Sequence, residues 1–334
     1  MVKEEILRLL NAPKAGYVSG GELAKRLKVS RTAVWKHIRA LIRDGYEIEA
    51  VPSKGYRLTA RPDKIVLSIL RQALCTRILG REIRLLNETP STNTLAMEIA
   101  QAGAAEGVVV IAESQTAGRG RLERGWVSPP GNIYMSIILR PQFPPHKAPL
   151  VTLAAAVAAA VTIRKSSSVV AEIKWPNDIL VRGRKIGGIL TEMSAEPERV
   201  KHIILGMGIN VNMDLAELPR DIRSRSTSLS KEAGREMDRS LLAARVLNEL
   251  EHWYQALQRN EALVLKEWER LNVTIGRRVA VSGLLGRLEG EAEGIDHEGR
   301  LILRLDDNTL RTVAAGDVTI LKGPADRPYV SRRE

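Results

Sequence analysis
The chain has 334 residues, 44% of them apolar and 27% charged, with a net charge of +12 and one cysteine, Cys75. That length supports two or three domains with a buried core, and one thiol excludes an internal disulfide; with no Cys/His cluster at zinc spacing, a cytoplasmic location and no structural metal are expected. Met1-Val2-Lys3-Glu4-Glu5 carries acid where a signal sequence needs an apolar run, and no stretch reaches the roughly 20 apolar residues of a membrane span, so no membrane partner is expected; the longest run, Ala148 to Ile163, reads as a buried helix.

In chain order, a short helix is expected over Glu4 to Asn11, stopped by Pro13 and Gly16. Ser19 opens a second helix, Glu22 to Leu27, and Ser30 caps a third that runs to about Asp44, where Gly45 stops it. Val34, Ile38, Leu41 and Ile42 form its inward stripe, which leaves Arg31, Thr32, Trp35, Lys36, Arg39 and Arg43 facing outward. Glu47 to Val51 and Tyr56 to Thr59 are strands around Pro52-Ser53-Lys54-Gly55. Helix, turn, cationic helix and hairpin in this order make a winged helix-turn-helix. Residues 19–58 hold nine Lys/Arg against four Asp/Glu, so part of the charge surplus is concentrated here, as a DNA-binding module requires. Arg31, Thr32, Trp35, Lys36 and Arg39 would face bases or phosphates, and Lys54 would touch backbone at the wing tip. A basic helical domain that merely docks on the rest is the alternative.

Arg61-Pro62-Asp63 marks a linker, followed by a helix over Asp63 to Leu74 with Ile65, Ile69 and Leu70 buried. Strands are then expected over Ile83–Glu88, Val108–Glu113, Ile133–Leu139, Ala171–Trp175, Lys185–Met193 and Val200–Asn210, with helices over Thr92–Ala102 and Pro149–Arg164. The mixture argues an α+β fold, a mixed sheet covered by helices on one side. Asp214 to Arg239 is polar and aperiodic and reads as a mobile surface segment. Helices over Ser240–Leu257 and Glu261–Leu271 follow. From Gly276 to Leu321, short strands between Gly and Asp turns suggest a small antiparallel barrel, and the last dozen residues look frayed.

One loop concentrates unusual chemistry: Gln115-Thr116-Ala117-Gly118-Arg119-Gly120-Arg121-Leu122-Glu123-Arg124-Gly125-Trp126. Glycine admits close backbone approach, arginine offers a planar fork for carboxylate or phosphate, and tryptophan gives a stacking face. Taken alone it is equally a basic surface turn. It is neither a Walker A loop nor a G-x-G-x-x-G turn. Its company is more specific: Glu88-Thr89-Pro90-Ser91-Thr92-Asn93 upstream, and Lys174-Trp175-Pro176-Asn177-Asp178, Gly183-Arg184-Lys185-Ile186-Gly187-Gly188-Ile189 and Gly206-Met207-Gly208-Ile209-Asn210-Val211 downstream.

These five segments, in this order, resemble the biotin-protein ligases, and the N-terminal part resembles the bifunctional members that also repress biotin genes. The resemblance covers about residues 3–322. It implies a winged helix-turn-helix over 1–61, a catalytic domain of the class II synthetase-like biotin/lipoate ligase fold over 62–272, and an SH3-like β-barrel over 273–322. It further implies that biotin is activated by ATP with Mg²⁺ to biotinyl-5'-AMP and passed to a lysine of biotin carboxyl carrier protein. Operator DNA and a ligand-promoted homodimer complete the implied partners.

Roles follow the motifs. Ser91, Thr92, Asn93 and Gln115 would hydrogen-bond the ureido end of biotin, and Gly118, Arg119, Gly120 and Arg121 would close over it. Arg119, Arg121 and Lys185 would be catalytic, because a carboxylate meets a triphosphate only where cations cancel their repulsion. Arg124, Trp126, Asn177, Asp178, Gly206, Gly208 and Asn210 would bind ATP or the adenylate. Asp178 would serve Mg²⁺ or accept a proton from the incoming lysine. Each has a plainer reading as well: Ser91 as a helix cap, the glycines as packing devices, Lys185 as a solvated loop lysine. One departure stands out. The family loop reads Gly-Arg-Gly-Arg-x-Gly-Arg-x-Trp, and here the sixth position is Glu123, whose carboxylate would pair with Arg121 or Arg124 and tune the loop. An adenylate-sensing repressor without ligase activity and a lipoate-protein ligase are the alternatives.

Overall fold
The computed structural model describes residues 2–11, 16–43, 45–60, 63–283 and 286–321. The helix stop at Pro13, the helix end at Asp44, the Arg61-Pro62 linker and the last dozen residues lie outside them. The chain forms two units, 1–68 and 69–334.

The first unit contains α1 (Val2–Leu10), α2 (Gly20–Leu27), α3 (Arg31–Arg43), β1 (Glu47–Val51) and β2 (Gly55–Ala60). Ser19 Oγ accepts from Glu22 N at 3.0 Å and Ser30 Oγ from Ala33 N at 3.1 Å, so each helix start finds a side-chain cap. Ile6, Leu9, Leu10, Leu23, Val34, Ile38, Leu41 and Tyr46 form the core. Ile42 departs from the expected stripe and is 43% exposed, because it lies a further 100° around α3 from Leu41. Gly55, at φ 111°, closes the wing against Val18, whose carbonyl oxygen lies 2.2 Å from where a Cβ would stand.

The second unit is built on seven strands: β3 (Ile83–Thr89), β4 (Val109–Gln115), β5 (Ile133–Leu139), β6 (Ala171–Lys174), β7 (Asp178–Val181), β8 (Arg184–Ala195) and β9 (Val200–Ile209). They run in the order β3-β4-β5-β9-β8-β7-β6, with β3 and β4 parallel and the other neighbours antiparallel. β7 was not expected; it is four residues long and returns through Arg182-Gly183, both at positive φ. The helices are α4 (Leu67–Ala73), α5 (Thr92–Gln101), α6 (Pro149–Ser167), α7 (Arg220–Arg223), α8 (Leu229–Ala233), α9 (Arg239–Arg259) and α10 (Glu261–Leu271). α4 is shorter than expected: 63–66 are not helical, although Ile65 is buried.

Helices lie on both faces of the sheet, which corrects the one-sided expectation. Thr152 of α6 meets Thr191 of β8 at 2.7 Å, while Asn93 of α5 donates to the carboxylate of the next residue, Glu192, at 2.8 Å. Successive strand residues point to opposite faces, so α6 and α5 are on opposite sides. α6, with α9 packed on it, covers one face; α5 covers part of the other and leaves the remainder as a groove. The 145–167 stretch is long and apolar enough to cross a membrane, contrary to expectation, but 78% of its apolar window is buried inside the protein.

The 214–239 segment is held to the sheet rather than loose. Lys185 N donates to Arg225 O, Thr227 N to Lys185 O, Leu229 N to Asn210 O and Ser230 N to Val211 O. Its polar, aperiodic composition does not disclose this order, because backbone pairing rather than an apolar stripe fixes it. The C-terminal strands β10 (Arg278–Gly283), β11 (Gly286–Ile295), β12 (Leu301–Arg304), β13 (Leu310–Val313) and β14 (Asp317–Ile320) form an antiparallel sheet in the order β13-β12-β11-β10-β14. Buried Trp175 ties it to β6, with Nε1 donating to Gly299 O at 3.0 Å.

Glu251 of α9 is buried and accepts the backbone N–H groups of Arg77, Ile78 and Leu79 at 2.6, 2.8 and 2.8 Å. Glu251→Leu strands three donors and should cost about 3 kcal/mol, lowering the thermal midpoint by roughly 5–10 °C in calorimetry. An unchanged midpoint would refute this role.

Candidate functional site
The groove on the α5 face has a volume of about 970 Å³. Its floor is set by strand register. Gly208 of β9 pairs with Tyr134 of β5 and Gly188 of β8, and Gly188 pairs with Asp178 of β7, which pairs with Lys174 of β6. A second row runs Ser136, Gly206, Leu190. Glycine at 188, 206 and 208 strips the centre of side chains. A Cβ on Gly206 would stand 2.1 Å from Asn93 Oδ1, and one on Gly208 would stand 2.8 Å from the Trp126 indole. Trp126 therefore lies on the glycine floor, its Nε1 buried without a hydrogen-bond partner.

One end of the groove is built from uncharged hydrogen-bonding groups, with the mutually neutralising Arg119–Glu192 ion pair beside Asn93. Ser91 caps α5 by accepting from Thr94 N at 3.4 Å, and so places Thr92 and Asn93 at the helix start. Ser136 Oγ lies 2.5 Å from Asn93 Oδ1 and 2.8 Å from Thr92 Oγ1. Gln115 Oε1 accepts from Thr92 N at 2.8 Å, and Gln115 Nε2 donates to Ser128 Oγ at 2.8 Å. This chain of donors and acceptors suits a small neutral polar group. Ser128 and Ser136 were missed by sequence reasoning, although Ser136 is the one polar side chain besides Tyr134 in the apolar strand Ile133–Leu139 and could have been flagged.

The other end is charged. Between Ile179↔Gly187 and Leu180↔Lys185 the β7–β8 register shifts by one residue. Such a bulge re-aims a side chain, and here it turns Lys185 to the same face as Gly188. Lys185 Nζ sits 2.5 Å from Asp178 Oδ1 and 5.0 Å from the Trp126 ring centroid, while Lys174 Nζ sits 3.0 Å from Asp178 Oδ2. Burial pushes the Asp178 carboxyl up, but the Lys185 and Lys174 ammonium groups outweigh it and hold the carboxyl below its usual value. Burial lowers the Arg121 guanidinium, opposed by Asp317 and Asp178. Arg121 donates to Asn177 Oδ1 at 3.1 Å and to Gly316 O at 3.2 Å, and Arg124 pairs with Asp317 of β14. Asn177 is locked by its own bond to Ile189 O at 2.7 Å.

Not every expected residue joins this cluster. Arg119 pairs with Glu192 at 2.9 Å, and Glu192 lies seven residues along β8 from Lys185, about 20 Å away by strand rise. Asn210 turns its amide to Thr227 O at 3.1 Å and does not line the groove, and Gly118 packs under Trp126 O and Ser128 Oγ. Gly120, at the start of the hairpin turn, donates to Arg124 O at 2.7 Å. Leu122 and Glu123 have φ of 52° and 58°, the left-handed region that glycine occupies without strain. The expected pairing of Glu123 with Arg121 or Arg124 does not occur; both arginines point to other partners.

In the first unit, Arg31, Thr32, Trp35, Lys36 and Arg39 are all exposed on one face of α3, with Trp35 50% exposed and the Arg39 guanidinium 5.5 Å over its ring. Lys54 sits at the wing turn, 5.8 Å from the Tyr17 ring, and Arg57 stacks on the same ring at 4.9 Å. Tyr17 and Arg57 were not anticipated.

Comparison with known proteins bears on the whole chain. Residues 85–210 match the Biotin/lipoate A/B protein ligase family, 2–57 the HTH domain and 274–321 the Biotin protein ligase C terminal domain. The chain is 39% identical over 321 residues to the bifunctional ligase/repressor BirA of Bacillus subtilis, covering 96% of this chain and 98% of that one. To BirA of Escherichia coli it is 33% identical over 307 residues, 90% and 92% of the two chains. The biotin protein ligase from Aquifex aeolicus solved in complex with biotin and ATP aligns with a TM-score of 0.63 at 25% identity, over 73% of this chain and 100% of that one. The N-terminal helix-turn-helix unit, the central sheet region and the C-terminal strands are thus each matched, and the chain belongs to the family of bifunctional biotin-protein ligases and repressors.

Proposed function
We propose that the protein joins biotin to ATP as biotinyl-5'-AMP, with loss of pyrophosphate, and then transfers biotin to a lysine of a biotin carboxyl carrier domain. The observation that carries this is the two-ended groove. A neutral hydrogen-bonding end built from Asn93, Thr92, Ser136 and Gln115 suits a ureido ring, and a cationic end built from Lys185, Arg121 and Arg124 suits a carboxylate meeting phosphates. Lys185, aimed by Asp178, would stand between the carboxylate and the α-phosphorus, stabilising charge as the carboxylate attacks and pyrophosphate departs. Trp126 and the glycine floor would take the flat parts of the adenylate.

Mg²⁺ would arrive with ATP, held mainly by the phosphates. Among the described residues no cluster of three His, Cys, Asp or Glu side chains could hold a metal, so Asp178 would lend at most one carboxylate. Because its carboxyl is held low and both oxygens face ammonium groups, Asp178 suits aiming Lys185 better than accepting a proton. Arg119 would act as a pin that closes the loop on Glu192 rather than as a carboxylate ligand. Lipoate is the poorer fit, since its dithiolane would leave the polar end of the groove unpaired.

Operator DNA would be bound by the exposed face of α3 and the wing, in a cytoplasmic homodimer promoted by the adenylate. We assign these roles to modules 1–61, 62–272 and 273–322. A sensor without ligase activity would have no use for Lys185 beside Arg121.

With biotin and MgATP the protein should label one lysine of a carrier domain, and Lys185→Ala should lower kcat/KM for biotin-dependent pyrophosphate exchange by roughly 10²–10³-fold; a smaller loss than tenfold would remove Lys185 from the chemistry. Glu123→Gly should relieve the left-handed strain and change adenylate affinity or release without abolishing transfer. Identical release rates in stopped flow would count against it. Arg31→Ala with Lys36→Ala should weaken binding to a two-fold symmetric operator and flatten its salt dependence. Wild-type binding by that double variant would exclude this face.

A further inference from the structure
The groove poses a charge problem for its second substrate. Seven lysine or arginine side chains line it against three carboxylates, Glu172, Asp178 and Asp317. That balance favours anions, yet the acceptor in the reaction proposed above is a lysine, an ammonium at neutral pH, which such a field repels. Asp178 already faces Lys174 and Lys185, and Asp317 faces Arg124. Glu172 is different. No ion pair joins it to a lysine or arginine within 4 Å among the described residues; Arg164 and Arg277 act on it only at a distance.

Its position is fixed by register. Glu172 of β6 pairs with Leu180 of β7, and Leu180 pairs with Lys185 of β8, so Glu172 and Lys185 share one cross-strand row. Two strand spacings separate their backbones by about 10 Å. Glu172 also lies two residues from Lys174, on the same face. An ammonium held there would be one side-chain length from the place where Lys185 would meet the acyl group.

We propose that Glu172 is the docking carboxylate for the acceptor lysine. This rests on the ligase reading of the groove. The ammonium is drawn out of the carrier domain against the cationic field and held by the carboxylate until it loses one proton to solvent. The neutral amine then attacks the acyl carbon of the mixed anhydride. The C–N bond forms, the C–O bond to phosphate breaks with its electron pair leaving on AMP, and the nitrogen sheds its second proton to water. Burial raises the Glu172 carboxyl against the lowering by Arg164 and Arg277, and an ammonium seated beside it would favour the charged form again.

The test uses the full chain and three readouts. Pyrophosphate exchange with biotin and MgATP reports adenylate formation, transfer from preformed adenylate to a carrier domain reports the lysine step, and release of preformed adenylate as the hydroxamate by neutral hydroxylamine reports attack by an uncharged amine. Glu172→Gln should leave exchange and hydroxamate formation within twofold of wild type while lowering kcat/KM for the carrier domain roughly tenfold, with Glu172→Asp intermediate. Equal transfer by Glu172→Gln, or an equal loss in all three readouts, would overturn the proposal. No exchange by the wild-type protein would overturn the ligase reading, and this one with it.

Discussion

The site depends on one ion pair, the Lys185 ammonium against the Asp178 carboxylate at 2.5 Å. Neither group could hold its place alone: strict alternation along β8 would send Lys185 to the α6 face, and a half-buried carboxylate with no cation beside it would be pushed toward its protonated form. The register shift between β7 and β8 solves the first difficulty and the flanking Lys174 the second. Backbone bonds from Lys185 to Arg225 and Thr227 then brace the strand start from its open side. A polar segment with no helical or strand periodicity thus has a clear structural duty.

The same economy governs the loop from Gly118 to Trp126. Its three arginines are each given a separate acidic or carbonyl anchor: Arg119 on Glu192, Arg121 on Asn177 and Gly316 O, Arg124 on Asp317. Two of these anchors belong to the C-terminal sheet, so that sheet helps shape the groove as well as packing beside it. Loop closure and charge placement are one event, because the arginines that would meet phosphate are also the ones that hold the loop down.

Most of the architecture was legible in the residues themselves. Ser19, Ser30 and Ser91 announced helix starts, and the alternation of short apolar runs gave nearly every strand. The motif order pointed to the groove residues, and the structure gathers Ser91, Thr92, Asn93, Gln115, Arg121, Trp126, Asp178 and Lys185 along one surface. What stayed hidden depends on pairing between distant strands. Ser136 and Ser128 acquire meaning only when β5 and the loop end are brought against α5. Glu192 and Asp317 are ordinary surface acids until an arginine from elsewhere reaches them, and the pairing of Arg119 with Glu192 is invisible in a motif that sets Arg119 two residues from Arg121. The short β7 and its bulge could not be read from four residues.

The Trp126 indole resting on Gly188 and Gly208 has a thermodynamic consequence. A planar ligand laid on that floor has to displace a ring already there, so its arrival swaps one apolar surface for another instead of drying a wetted one. Affinity must then come mainly from the polar and ionic ends of the groove, and the indole nitrogen, which has no acceptor in its resting place, gains a chance to find one only by leaving.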